Sequence, residues 1–333
     1  MDNKNINELL ENIIMDITAG NYNAVLNDLS QFLDKYPEQI DQRAKYEIRM
    51  IEKILEDRVM LQDWDYYINI KSLYDYLKNT YSNDDVCKIT QPIGELLPNS
   101  DTIWWCWLQG MENAPDVCKI CYESVTKLDR EIVVVTEKNL GDYVDIPDYI
   151  MDLWQEGTIT NAHFSDILRA ELLVKRGGIW IDSTVFISDP VGAQKYITDP
   201  DLFCFRSVMR DGSSDFITYD SWFLRNARTS GILSDTLNML EEYWKREHEL
   251  KHYFLFHLFF TLATWRHPQE CASIPIYSTE PCHVMQLEMM NRYNEKRWEQ
   301  LLGMSPIHKL TYKYDPDLAI RGSIVEHILK GTK

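Results

Sequence analysis

The chain reads as an α/β protein with a mainly parallel central sheet, preceded by a helical region. Strand and helix patterns alternate after about residue 100, the first strands are apolar without a break, and residues 1–85 carry only helical spacing. Alternation of that kind builds a sheet layered with helices. Uninterrupted apolar strands are those buried on both faces.

The elements follow in order. Leu9, Leu10, Ile13, Ile14 and Ile17 recur at helical spacing until Gly20 and Asn21 break the pattern. Further helices are predicted over 24–36, closed by Pro37, over 39–61 and over 66–81. Residues 83–100, with Asp84, Asp85, Pro92, Gly94 and Pro98, read as a linker. That divides a helical N-terminal region (1–85) from an α/β domain (86–333). Beyond the linker come a strand over 102–108 (TIWWCWL), a helix over 115–127 and a strand over 131–136 (EIVVVT). Helices over 147–155 and 161–176 and a strand over 179–187 follow. From about residue 207 the pattern turns mainly helical, through 232–248 and 253–265, and a tail over 306–314 closes it.

Composition removes several function classes. The 333 residues are 45% hydrophobic, enough for one large domain or two smaller ones. A net charge of -18, from 34 basic and 52 acidic side chains, excludes nucleic-acid binding through a general basic surface. It leaves room for a local basic pocket. Seven cysteines and a polar, acidic opening (MDNKNINELL) predict reduced thiols in a cytoplasmic protein without a signal peptide. Cys118 and Cys121 form a CxxC without a second pair at zinc spacing, so they read as packing on a helix. The run YFLFHLFFTLATW (253–265) is shorter than the ~20 residues a membrane span needs. It reads as a core helix, with His257 a satisfied core histidine. No transmembrane segment is expected, and membrane association would be peripheral, on the cytoplasmic face.

Chemistry concentrates in SDILRAELLVKRGGIWID (165–182). Phe164, Ile167, Leu168 and Leu172 mark the apolar side of a helix, and Asp166 and Arg169 project together from a neighbouring face. Gly177 and Gly178 end that helix. Alternation in the strand that follows puts Trp180, Asp182 and Thr184 on one side. Asp182 therefore sits near the carboxyl end of a buried strand, where open α/β sheets bind ligands. A carboxylate beside hydroxyls suits a hard divalent cation or a ribose hydroxyl, and equally a carboxylate satisfied by donors near a turn.

These residues resemble the central motif of GT-A-fold glycosyltransferases, in the family 32-like and capsular polysaccharide synthesis group. The opening strand IWWCWLQG (103–110), the distal blocks SWFL (221–224) and YFLFHLFF (253–260), and the tail PIHKLTYK (306–313) resemble the same group in the same order. The resemblance spans roughly residues 100–315 and implies a Rossmann-type nucleotide-sugar-binding domain. It implies a hexose transferred, with retention, from a UDP- or GDP-sugar to a capsular, cell-surface or lipid-linked glycan. By the same resemblance, Trp107, Gln109 and Gly110 line the nucleotide pocket. Asp166 binds ribose or base, and Arg169 lies near the sugar and phosphates. Asp182 is the first aspartate of a DxD motif, and His308 and Lys313 fold over the diphosphate. Mn²⁺ or Mg²⁺ would be held by Asp182, Thr184 and His308, with Thr184 standing where the second aspartate is usual. Tyr219, Asp220 and Trp222 are candidates for the sugar or acceptor side. Two readings of other kinds remain beside this one. In the first, a GT-A-like shell with weakened catalysis works as a binding module through its helical N-terminus. The second, a nucleotidyltransferase, needs a Gly-rich basic loop, which QGMENAP (109–115) is not.

Overall fold

The structure is a computed structural model that describes residues 15–16, 21, 24–29, 64–207, 216–314 and 321–330. Within the helices expected before residue 62, residues 15–16 and 24–29 are helical, and the rest of those helices lies outside the described residues. The helix expected over 66–81 is α1 (Trp64–Tyr81).

The aromatic run IWWC and the β-branched run IVVV become parallel neighbours, both rich in residue types that favour strands. β1 (Ile103–Cys106) pairs with β2 (Ile132–Val135), the two joined through α2 (Asp116–Val125). α3 (Asp148–Gln155) and α4 (Asn161–Lys175) lead into β3 (Gly178–Ile181), which lies parallel on the other side of β1. β4 (Val185–Ile187) and α5 (Pro190–Ile197) precede β5 (Leu202–Arg206) and β6 (Tyr219–Asn226). The sheet order is β2-β1-β3-β6-β5. β6 is antiparallel to both of its neighbours, so β5 runs with the first three strands and β6 alone runs against them. β6 falls in the region expected to be mainly helical, and β5 just before it was not expected as a strand.

The next helices are α6 (Gly231–Arg246) and α7 (Leu255–Arg266). β7 (Ile307–Lys309), from the tail, pairs antiparallel with β4 in a separate two-stranded sheet. The single strand expected over 179–187 is therefore two strands. The hydrophilic Asp182–Thr184 segment turns between them, with the Val185 amide donating to the Asp182 carbonyl at 3.0 Å.

Side-chain alternation sends the sheet's two faces into two cores. Trp104, Trp180, Leu224 and Cys204 lie opposite one another across four strands and pack against α1, α4, α6 and α7. Ile103, Ile179, Ile181, Phe223 and Phe203 face the other way, onto Val125, Tyr196 and Ile197. Each large apolar side chain buried this way contributes about 1.5–3 kcal/mol. The expected linker over 83–100 is fastened to this body rather than free. The Leu97 amide donates to the Ala227 carbonyl at 3.0 Å, and the Asn99 amide to the Arg176 carbonyl at 2.8 Å. Cys118 and Cys121 are buried, unbridged thiols on α2.

α4 is buried almost all round, with Asp166 and Arg169 buried along with its apolar residues. Thr160 caps its start, its side chain accepting from the His163 amide. Its exit needs glycine: Gly177 and Gly178 have φ of 76° and 108°. A Cβ on Gly178 would lie 2.5 Å from the Thr102 carbonyl oxygen and 2.7 Å from the Trp104 indole nitrogen.

Candidate active site

β3 ends at Ile181, and Asp182 is the first residue past the strand end, still tied to β6 by its amide, which donates to the Trp222 carbonyl at 2.9 Å. Its carboxylate is the centre of a charged cluster. Oδ1 accepts from Arg169 Nη2 at 2.9 Å and from the Trp180 indole at 2.8 Å. Oδ2 accepts from Lys309 Nζ at 2.7 Å, and the same ammonium donates to Thr184 Oγ1 at 2.7 Å. Lys309 arrives there because β7 is in register with β4, placing it opposite Val185.

Arg169 comes from the middle of α4 and is 3% exposed. Its Nη1 donates to Asp166 and, at 2.7 Å, to Ser221 Oγ on β6. Its guanidinium lies 4.9 Å from the centre of the Trp180 ring, within cation–π reach. Behind Asp166 stands His163, whose Nδ1 is 3.6 Å from the carboxylate. The Trp244 indole donates to His163 Nε2 at 3.0 Å, which assigns the histidine proton to Nδ1, facing Asp166. Burial pushes the pKa values of both aspartates up, yet the charges beside them win. Arg169 and His163 hold Asp166 below the usual carboxylate range, and Lys309 and Arg169 do so for Asp182.

A cleft of about 220 Å³ opens in front of Asp182, at the carboxyl ends of the parallel strands β1 and β3. Trp107 and Gln109 wall it after β1, Asn161 and Ser165 from the start of α4, and Tyr312 from the tail. The Tyr312 ring meets Trp107 edge-on at 5.4 Å.

Of the residues singled out from the sequence, Trp107, Gln109 and Asp182 line this cleft. Gly110 turns the chain just after them with φ 91°. Asp166 and Arg169 stand behind the cleft wall, and Thr184 is joined to Asp182 through Lys309. Other candidates lie elsewhere. Trp222 is buried on the far face, stacked on Phe205 at 4.8 Å, and reaches Asp182 only through its carbonyl. Tyr219 is buried against Phe260, with its hydroxyl 3.2 Å from Cys271 Sγ. Asp220 is half-buried, and its Oδ2 has no hydrogen-bond partner among the described residues. His308 is fully buried, with Nε2 3.0 Å from Ser188 Oγ, while Lys313 is exposed on the tail. His257 lies at the edge of the core, its Nδ1 without a hydrogen-bond partner among the described residues.

Sequence reasoning missed Lys309, Tyr312 and Ser221, and placed Trp180 on the side of Asp182 without giving it a role there. Lys309 and Tyr312 belong to the tail block PIHKLTYK, whose alternation sends Lys309 and His308 to opposite sides. The donor set does not fit a divalent ion. Both oxygens of Asp182 and the hydroxyl of Thr184 are engaged by fixed donors, and His308 faces the opposite side of its strand from Lys309, with Nε2 on Ser188. No group of three or more His, Cys, Asp or Glu side chains that could hold a metal occurs among the described residues.

A cleft at the carboxyl ends of parallel strands, lined by Asp182 with its paired cations beside it, is the candidate ligand site of this α/β protein. The family described as "capsular polysaccharide synthesis protein" matches residues 52–328, and the chain belongs to it. A solved structure titled "PaToxG Glycosyltransferase" is similar at 15% identity, with a TM-score of 0.35, covering 81% of this chain and 98% of that one. No curated protein gives a significant match.

Proposed function

We propose that the protein is a glycosyltransferase of the GT-A type that moves a hexose from a UDP- or GDP-sugar to a capsular, cell-surface or lipid-linked glycan. The observation that carries this reading is the pair of fixed cations, Arg169 and Lys309, on one carboxylate at the floor of an aromatic-walled cleft. Aromatic faces suit a base or sugar ring. The cations suit a diphosphate, as does the first turn of α4, whose Asn161 and Ala162 line the cleft. Family membership supports the reading, since a polysaccharide is built by forming glycosidic bonds.

In this reading Trp107, Gln109 and Gly110 receive the nucleotide, and Asp166 holds Arg169 towards ribose and phosphates. Lys313 closes over the diphosphate from the tail. Tyr219 and Trp222, packed in the core away from the cleft, take no part in it, and Asp220, with an unpartnered carboxylate oxygen, is the candidate on the sugar and acceptor side. The bond from the anomeric carbon to the diphosphate oxygen breaks, and its electron pair leaves with the diphosphate. The acceptor hydroxyl oxygen bonds to the same carbon on the same face, which retains configuration, and its proton passes to the departing phosphate oxygen. Charge builds on that leaving group while the sugar gains oxocarbenium character, and Arg169 and Lys309 stabilise it. A lipid-linked acceptor would be met at the cytoplasmic face of a membrane, with the protein attached peripherally. Among the described residues, no helix is long and apolar enough to cross one.

A screen of UDP- and GDP-sugars with simple sugar acceptors, read by product mass spectrometry, tests the reading. One donor should be transferred or hydrolysed, and Asp182→Ala should cut that rate about 100-fold or more. Binding without turnover would make the protein a binding module, and an unimpaired Asp182→Ala enzyme would remove Asp182 from the site. No binding and no turnover of any donor would end the proposal.

A further inference from the structure

We propose that Lys309 is the built-in cation of this site, its ammonium occupying the place between Asp182 and Thr184 where a divalent ion would be held. The identity of the anion it meets, a nucleoside diphosphate, rests on the glycosyltransferase reading; the place of the cation does not.

Three observations carry the inference. The ammonium spans the first and third members of the Asp182-Ser183-Thr184 turn, 2.7 Å from a side-chain oxygen of each, as a bridging metal would. A lysine ammonium has three donors. Two are used on Asp182 and Thr184, which leaves the third for a ligand. The position is also fixed by backbone rather than by a flexible stem alone. β7 is locked to β4, the Leu310 amide donates to the Thr184 carbonyl at 2.8 Å, and the Ser188 amide donates to the Pro306 carbonyl at 3.0 Å.

Charge explains the threonine. Asp166 and Asp182 are balanced by Arg169 and Lys309, so the cluster is neutral overall. A second carboxylate at position 184 would make it negative, and a diphosphate would then need an added divalent ion to approach. Thr184 accepts a hydrogen bond from Lys309 without cancelling its charge. A divalent ion entering the present cluster would instead stand against an ammonium and a guanidinium already bound to its only carboxylate ligand. Such like-charge crowding opposes metal binding.

Two measurements on the full chain test this. Calorimetric binding of UDP and of GDP should be equally tight in EDTA and in MnCl₂. Lys309→Met should weaken it about tenfold or more, while Lys309→Arg keeps most of it. Wild-type nucleotide binding that disappears in EDTA overturns the proposal. Independently of any nucleotide, Mn²⁺ titration followed by electron paramagnetic resonance should show no Asp182-dependent site in the wild type. Lys309→Asp, which sets a second carboxylate beside Asp182, should acquire one. An Asp182-dependent Mn²⁺ site in the wild type overturns the assignment of Lys309 even if neither nucleotide binds. Failure of both nucleotides alone counts against the glycosyltransferase reading, and the Mn²⁺ titration then still decides on Lys309. Thermal melting of each variant identifies any that does not fold, and the wild-type titrations stand without them.

Discussion

His308 keeps its imidazole wholly inside the protein, and burial pushes its pKa down to about 4, from an ordinary 6.5. Between those values the unfolded chain binds a proton that the folded protein refuses. Its contribution to stability is therefore complete above 6.5 and falls as pH drops towards about 4. Asp182 does not add to that fall, because Lys309 and Arg169 hold its carboxyl below the usual carboxylate range. Urea denaturation near neutral pH and near pH 5 should show the wild type losing about 2 kcal/mol more than His308→Gln, which cannot be protonated. Equal losses in both proteins would place the acid sensitivity on other groups. Asp182 carries a second prediction, since its carboxylate is the counter-ion of two cations with 4% and 18% exposed side chains. Asp182→Asn should cost about 3 kcal/mol by leaving Lys309 without a carboxylate partner and Arg169 with Asp166 as its remaining one. Adding Lys309→Met should recover about 1 kcal/mol or more of that loss in a double-mutant cycle, and strict additivity would mean that the pair is not coupled. At this scale Asp182 was legible, because a carboxylate inside an apolar burst is costly without a purpose. Lys309 was not legible, because the pairing joins residues 127 apart and no local pattern records it.

The turn from α4 into β3 shows what a single element can tolerate. Gly178 has φ 108° and backbone and indole atoms within 3 Å of where a Cβ would stand, whereas Gly157 has φ 84° and open space. Gly157→Ala should cost only about 1 kcal/mol for the left-handed backbone. Gly178→Ala adds a collision with the Thr102 carbonyl and should cost about 3 kcal/mol or more. Urea midpoints of the two variants compare them directly; equal costs would mean that β1 and β3 yield freely at that point. The Gly-Gly break, α4 and the first parallel strands were legible because each has a strong local signature. β6 was not, because YDSWFLRN carries polar residues whose partners lie far away in sequence. Ser221 meets Arg169, the Arg225 Nε donates to the Pro200 carbonyl at 2.6 Å, and the Asn226 amide donates to the Leu173 carbonyl at 2.9 Å. Tertiary partners let those residues sit in a buried strand and hide its apolar pattern. β7, three residues long, is too short for periodicity to register, and β4, also three residues, reads in the sequence as the continuation of β3.

Across the whole molecule, the boundary expected near residue 85 meets a core that runs through it. Ile70, Leu77 and Tyr81 of α1 are buried in the same cluster as Phe164, Leu224 and Phe259. Tyr81 packs edge-on to Phe259 at 5.7 Å and lies 5.7 Å from Tyr243, while Tyr74 lies 5.1 Å from Phe216. Such contacts tie α1 to the helices on one face of the sheet rather than to a surface of its own. If α1 is part of that core, Leu77→Ala should lower stability by about 2–5 kcal/mol, the usual cost of emptying a buried leucine site. Unfolding should also remain a single transition, with fluorescence and circular dichroism falling together, because one core melts as one unit. A separately folding helical region would behave otherwise: two transitions would appear, and only the first would move in Leu77→Ala. The same logic applies to a protein that starts at residue 86. Without α1 it exposes the faces of α6 and α7 that Tyr81 covers, and it should melt well below the full chain or aggregate. An unchanged melting temperature in that shortened protein would show that the core closes without α1 and would support the boundary at residue 85.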